Sequence, residues 1–209
     1  MKKIGKGIGF VVLLAAMVWC GMLIADRRQL HDGLIRLHVV ADSDTVEAQE
    51  LKLQVKDAIV ESISNGMRDI TDVSQAKAYL QEHLTQLESL ANQVLQTAGS
   101  QLTAVVTLTE EEFPTREYDT FSLPAGVYNA LRIAIGQAQG HNWWCVVFPQ
   151  LCLPATAEGF QDVAVGAGFS DTLTDTLSDG DAYEIRFFFL DCLGKIENFI
   201  HRGAFRSVF

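Results

Sequence analysis

The sequence predicts an α+β protein: an N-terminal signal or transmembrane helix, then one domain of two helices packed on a mainly antiparallel sheet. Three patterns carry this. A charge-free run, "GIGFVVLLAAMVWCGMLIA", occupies positions 7–25. Two later stretches repeat apolar residues at steps of three and four. From residue 102 onward the apolar period falls to two, the spacing of strands with one buried face.

The apolar run follows Lys2, Lys3 and Lys6 and precedes Asp26, Arg27 and Arg28, a charge order that holds the amino terminus in the cytoplasm and sends the body outward. Its 19 residues are long for a cleaved signal core and close to the roughly 20 needed to span a membrane. Leu23 and Ala25 supply only a poor cleavage pattern, so both a signal peptide and an anchor stay open.

"GLIRLHVVADSD" (33–44) reads as a short buried strand that runs into a helix start. There Asp44 and Glu47 form a capping-box-like pair. Ala48, Leu51, Val55, Ala58, Ile59 and Ile63 then line one helical face until Asn65 and Gly66 end it. A second helix is expected over about 73–97, where Val73, Ala76, Leu80, Leu84, Leu87, Ala91 and Val94 keep helical spacing and Gly99 supplies the stop. Leu102, Ala104, Val106 and Leu108 begin the strand pattern. Pro114 and the Pro124-Ala125-Gly126 turn punctuate it, and Val127, Asn129, Leu131, Ile133 and Ile135 resume it. "NWWCVVFP" is a further strand ended by Pro149, so the simplest topology is a meander.

Residues 155–182 lose all periodicity and read as a flexible acidic loop, and "YEIRFFFLDCLG" regains strand character. The expected organisation is therefore 1–28 signal peptide or anchor, 29–154 α+β core, 155–182 loop, and 183–209 final strand and C-terminal tail.

Charge narrows the function. All 26 acidic residues lie beyond position 25 against 13 of the 16 lysines and arginines, so the body carries a formal charge of −13. Such a body repels polyphosphate, which argues against nucleic acid as a partner. The sequence contains no HExxH, GxSxG or GxxxxGK[ST], and the histidines at 31, 38, 83, 141 and 201 have no metal-ligand spacing. No catalytic, metal-binding or cofactor-binding residues and no small-molecule substrate are therefore expected.

The densest chemistry lies in "HNWWCVVFPQLCLP" (141–154). On an oxidising side of the membrane, Cys145 and Cys152 are near enough in sequence to form a disulfide across a turn at Pro149. Reduced buried thiols and a Cys145–His141 nucleophile pair are the alternatives. Trp143 and Trp144 point to opposite faces of their strand, so they serve either as core or as a contact surface of the aromatic kind that dominates binding hot spots. Arg116 and Tyr118 in "FPTREY" form a second candidate for contact, with a solvated loop as the alternative.

"LIRLHVVADSDTVEAQELKLQVKDAI" (34–59), "FPTREY" (113–118), "LPAGVYNALRIAIGQAQGHNWWCVVFPQLC" (123–152) and "YEIRF" (183–187) together resemble the stage II sporulation protein R family of endospore-forming bacteria. The resemblance implies a secreted signalling protein and not an enzyme. Family members are made in the forespore and exported into the space between the two septal membranes. There they activate a membrane-embedded aspartic protease that processes the sigma-E precursor. The implied location is that intermembrane space, or the forespore membrane if the N-terminal helix is retained. The implied partners are the protease and, through the N-terminal segment, the membrane. Arg116, Tyr118, Arg132, Trp143 and Trp144 are the expected contact residues. The competing expectations are an extracytoplasmic thiol-dependent hydrolase built on Cys145 and an anchored structural envelope protein.

Overall fold

The computed structural model describes residues 2–118, 120–150, 152, 160–178 and 185–206. Helix α1 (Lys2–Gly33) leads into strand β1 (Ile35–Val40), helices α2 (Val46–Gly66) and α3 (Val73–Thr97), and strand β2 (Ala104–Phe113). A small ladder, β3 (Arg116–Glu117) and β4 (Ser122–Leu123), precedes the long strands β5 (Gly126–Ile135) and β6 (Asn142–Phe148). Helices α4 (Phe160–Gly166), α5 (Asp171–Ser178) and α6 (Ile185–Arg206) follow.

The α+β expectation holds, but the sheet is not a meander. Its order is β2-β5-β1-β6, with β1 parallel to β5 and antiparallel to β6. The physical reason lies in β1, whose near-continuous apolar run suits a strand buried on both faces. The β5–β6 connection therefore has to pass over the end of β1. Gly136 has φ +56, and a Cβ on Gly140 would lie 2.2 Å from the Ser43 carbonyl oxygen, so this connection is pressed against the chain leaving β1. Gly140 N–H donates to the Ala41 carbonyl at 2.9 Å, and Gln137 N–H donates to the Asp42 carboxylate at 2.7 Å.

Two apolar layers flank the sheet. Ile35, Leu37 and Val39 meet Leu131, Ile133, Cys145 and Val147 beneath α2 and α3, which contribute Leu51, Val55, Ile59, Ile63, Leu80, Leu87 and Leu95. On the opposite face Phe113, Tyr128, Ala130 and Val146 pack with Leu23 and Leu30 of α1, Phe160, Ala164, Leu173 and Leu177 of α4 and α5, and Phe187 and Leu190 of α6.

Three local expectations are corrected. Thr45 caps α2, its hydroxyl accepting from Ala48 N–H, while Asp44 is used elsewhere. The expected loop over 155–182 contains α4 and α5, because Phe160, Ala164, Phe169, Leu173 and Leu177 anchor two helical turns in the second layer; positions 155–159 and 179–182 lie outside the described residues. The expected final strand is helix α6; positions 183–184 lie outside the described residues. Leu190, Asp191, Gly194, Glu197 and Asn198 recur at helical spacing, and each meets the body.

Candidate functional site

Alternation along β1 sends Ile35, Leu37 and Val39 toward α2 and α3 and leaves Arg36 and His38 on the other face. The register then brings neighbours to them. His38 lies opposite Arg132 of β5 and opposite Trp144 of β6. The His38 ring stacks on Trp144 with centroids 3.9 Å apart, and its Nδ1 lies 2.7 Å from a Glu111 carboxylate oxygen. The other Glu111 oxygen is 3.3 Å from Arg132 Nε. The short β3–β4 ladder carries Arg116 to within 5.3 Å of the Trp144 ring.

Arg36 underlies this group and is fully buried. Its Nη2 donates to the Tyr118 hydroxyl at 3.0 Å, and its guanidinium sits 4.0 Å from the Phe113 centroid and 5.0 Å from that of Tyr128. Aromatic faces attract such a cation. Nε and Nη1 of Arg36 find no hydrogen-bond acceptor among the described residues. A buried cation held by ring faces and one hydroxyl, without a carboxylate bonded to it among the described residues, is costly to desolvate.

Four of the five expected contact residues, Arg116, Tyr118, Arg132 and Trp144, thus fall in one connected cation–aromatic cluster. Trp143 is separated from them. It lies on the opposite face of β6, packs on the α2–α3 core and receives the Lys56 ammonium at 4.6 Å from its ring centroid. The sequence reading missed Arg36, His38, Glu111 and Phe113. The signal was present in "LIRLHVV", where a cation and a histidine interrupt an otherwise apolar strand at period two.

Cys145 and Cys152 are joined in a disulfide, with Cα atoms 5.2 Å apart. Cys145 therefore presents no free thiol. His141 instead serves Asp44, which accepts from the His141 N–H at 2.6 Å and lies 2.5 Å from the ring Nδ1. Those two bonds hold the Asp44 carboxyl below the usual carboxylate range. Asp42 and Asp44 together clamp the β5–β6 connection. Among the described residues no group of three or more His, Cys, Asp or Glu is arranged to hold a metal. The cluster offers cations, ring faces and hydrogen-bond donors, the equipment of a recognition surface.

Comparison with known proteins covers this same part of the chain. The family described as stage II sporulation protein R matches residues 31–158, which include every member of the cluster and the disulfide. Stage II sporulation protein R of Bacillus subtilis (strain 168) is 35% identical over 121 residues, covering 58% of this chain and 54% of that relative. The match thus spans about half the length of the curated relative. No solved structure matches. With more than half of its length matched, the chain belongs to the stage II sporulation protein R family and has a role in sporulation.

Proposed function

We propose that this chain is an extracytoplasmic signal that activates a membrane-embedded protease of the sigma-E pathway, and that it docks through Arg116, Tyr118, Arg132 and Trp144. The observation that carries the reading is the cluster itself. In a body of formal charge −13, Arg116, Arg132 and His38 gather at the half-buried rings of Tyr118 and Trp144 over a fully buried Arg36, with the Glu111 carboxylate between His38 and Arg132. The few residues that dominate binding at protein interfaces are enriched in Trp, Tyr and Arg. The family membership, the apolar N-terminal helix and the disulfide all suit a protein of the sporulating cell's extracytoplasmic or membrane-anchored compartment.

Activation of this kind is a population shift. The signal binds the active protease more tightly than the inactive one, and each tenfold preference is worth about 1.4 kcal/mol. The test is reconstitution in a non-sporulating bacterium that expresses the exported chain, the protease and a tagged sigma precursor. Precursor cleavage that depends on the exported chain is expected. Absence of cleavage, with export confirmed and a family member active in the same host, would overturn the reading.

A further inference from the structure

Helix α6 leaves an apolar stripe uncovered. Phe188, Phe189, Leu193, Ile196, Phe199 and Ile200 recur at steps of three and four along its outer side, with Phe199 78% and Ile200 63% exposed. Its inner side is bound to the body: Asp191 accepts from Ala125 N–H at 2.8 Å, and Asn198 donates to the Phe113 carbonyl at 3.0 Å.

The placement of this stripe is fixed by α1. Residues 8–22 of α1 are exposed along their whole length and apolar enough to cross a membrane, whereas Leu23, Asp26 and Leu30 are buried in the body. Arg186 near the start of α6 bonds Asp26 at 2.6 Å, and Glu197 pairs with the adjacent Arg27. Those two α6 residues are separated by about 16 Å of helix, yet they meet neighbouring residues of α1, so α6 runs across α1 and not alongside it. Phe189 meets Trp19, inside the apolar span, with ring centroids 4.8 Å apart. Ile24 and Arg28 of α1 and Leu193, Ile196 and Ile200 of α6 line one groove of about 530 Å³. The α6 stripe is thus continuous with the apolar surface of the span, at the level where the span leaves the body.

We propose that the outer face of α6 lies in the headgroup layer of the bilayer that α1 enters, so that the body is seated on the membrane by two helices. Charge supports a lipid occupant. On α6 the Lys195 side chain, paired with Asp191 at 2.7 Å, is still 65% exposed, whereas Arg186 is turned onto Asp26, and both acids of the helix, Asp191 and Glu197, accept from the backbone N–H groups of Ala125 and Val127. An amphipathic helix with basic residues and a Phe- and Ile-rich face is the form that binds an anionic interface. The packed Leu23 and Asp26 also place the Leu23–Ala25 cleavage pattern within the docked part of α1. The inference does not rest on the protease reading.

The test uses the full chain with Cys20→Ser and Cys192→Ser, which leaves the disulfide intact, in phosphatidylglycerol–phosphatidylethanolamine vesicles. A fluorescent label goes on Phe199→Cys or, as a control, on Glu82→Cys, which lies on the exposed side of α3. The label at 199 is expected to be blue-shifted, quenched by nitroxide-bearing lipid and several-fold less sensitive to iodide than the label at 82. A label at 199 as sensitive to iodide as that at 82 overturns the proposal. So does shielding from iodide without quenching by lipid, which would mean a second copy covers the stripe, and so does failure of the folded chain to float with the vesicles. A label on Ile196→Cys repeats the measurement without changing Phe199.

Discussion

Opening the Cys145–Cys152 bond isolates the contribution of a small covalent loop. The two cysteines are separated by 7 positions, and the loop-closure relation assigns about 2.4 kcal/mol at 25 °C to a cross-link of that span. Cys145 is buried in the α2–α3 core and Cys152 packs against it, so the expected effect of reduction is chiefly on chain entropy. For a chain of this size the loss corresponds to a fall in Tm of about 5–10 °C. The assay is thermal unfolding of the full chain in detergent micelles, followed by circular dichroism with and without a thiol reductant. Mass spectrometry verifies the bond in one sample and its absence in the other. Cys145→Ala with Cys152→Ala lowers stability by about another 1 kcal/mol, a further fall in Tm of about 2–4 °C, because the sulfur atoms leave unfilled space. Equal midpoints in verified oxidised and reduced samples would refute the reasoning.

Three other outcomes are expected. Arg116→Ala, at a partly buried position over the Trp144 ring, costs about 1 kcal/mol or less in stability but lowers precursor cleavage in the reconstituted system, whereas Trp143→Phe, on the other face of β6, leaves cleavage unchanged; the reverse pattern would move the docking surface. Gly140→Ala destabilises by about 1–3 kcal/mol, read from chemical denaturation, because its Cβ meets backbone of Ser43 and not a movable side-chain end; an unchanged midpoint contradicts this. Burial alone would raise the Asp191 carboxyl, but the Ala125 N–H, the Lys195 ammonium and the Thr115 hydroxyl outweigh it and hold the group below its ordinary value. Its contribution is present above the ordinary carboxylate pKa and disappears as pH falls through the lowered one. Asp191→Asn therefore lowers Tm at neutral pH and converges on the parent in acid, and parallel Tm–pH profiles would exclude this account.

Much of the fold was legible because local rules and burial agreed. The steps of three and four in α2 and α3 find most of the buried face, with Ala58, Val73, Leu84 and Val94 at its partly buried margin and Val60 and Leu95 missed, and the alternation from Ala104 to Leu108 matches β2. The failures have physical causes. Period two cannot report the order of strands, so it could not show β1 inserted between β5 and β6. Asp44 looked like a cap because its alternative partner, His141, lies almost a hundred residues away. In "YEIRFFFLDCLG" the dense aromatic and aliphatic run suits a strand by propensity, yet in its described part Asp191 and Gly194 dock on Ala125 while Phe188, Phe189 and Leu193 face outward at helical spacing. The contact cluster was read in part. Arg116, Tyr118, Arg132 and Trp144 stood out as types that bind, while Arg36 and His38 were passed over as members of an apolar strand.

The position of β1 also sets an order of events in time. Among the described residues the two edges of β1 are paired with 129–134 and 142–148, so roughly a hundred residues must follow it before both ladders can form. The α2–α3 pair has local contacts and can assemble meanwhile. A chain that becomes available in the order of its sequence therefore carries an unpaired, apolar strand beside its apolar N-terminal helix until β6 has followed. Any change that slows the arrival of β5 and β6 lengthens the interval in which that strand can pair with another chain, and its cost would appear as lost yield and not as lost affinity.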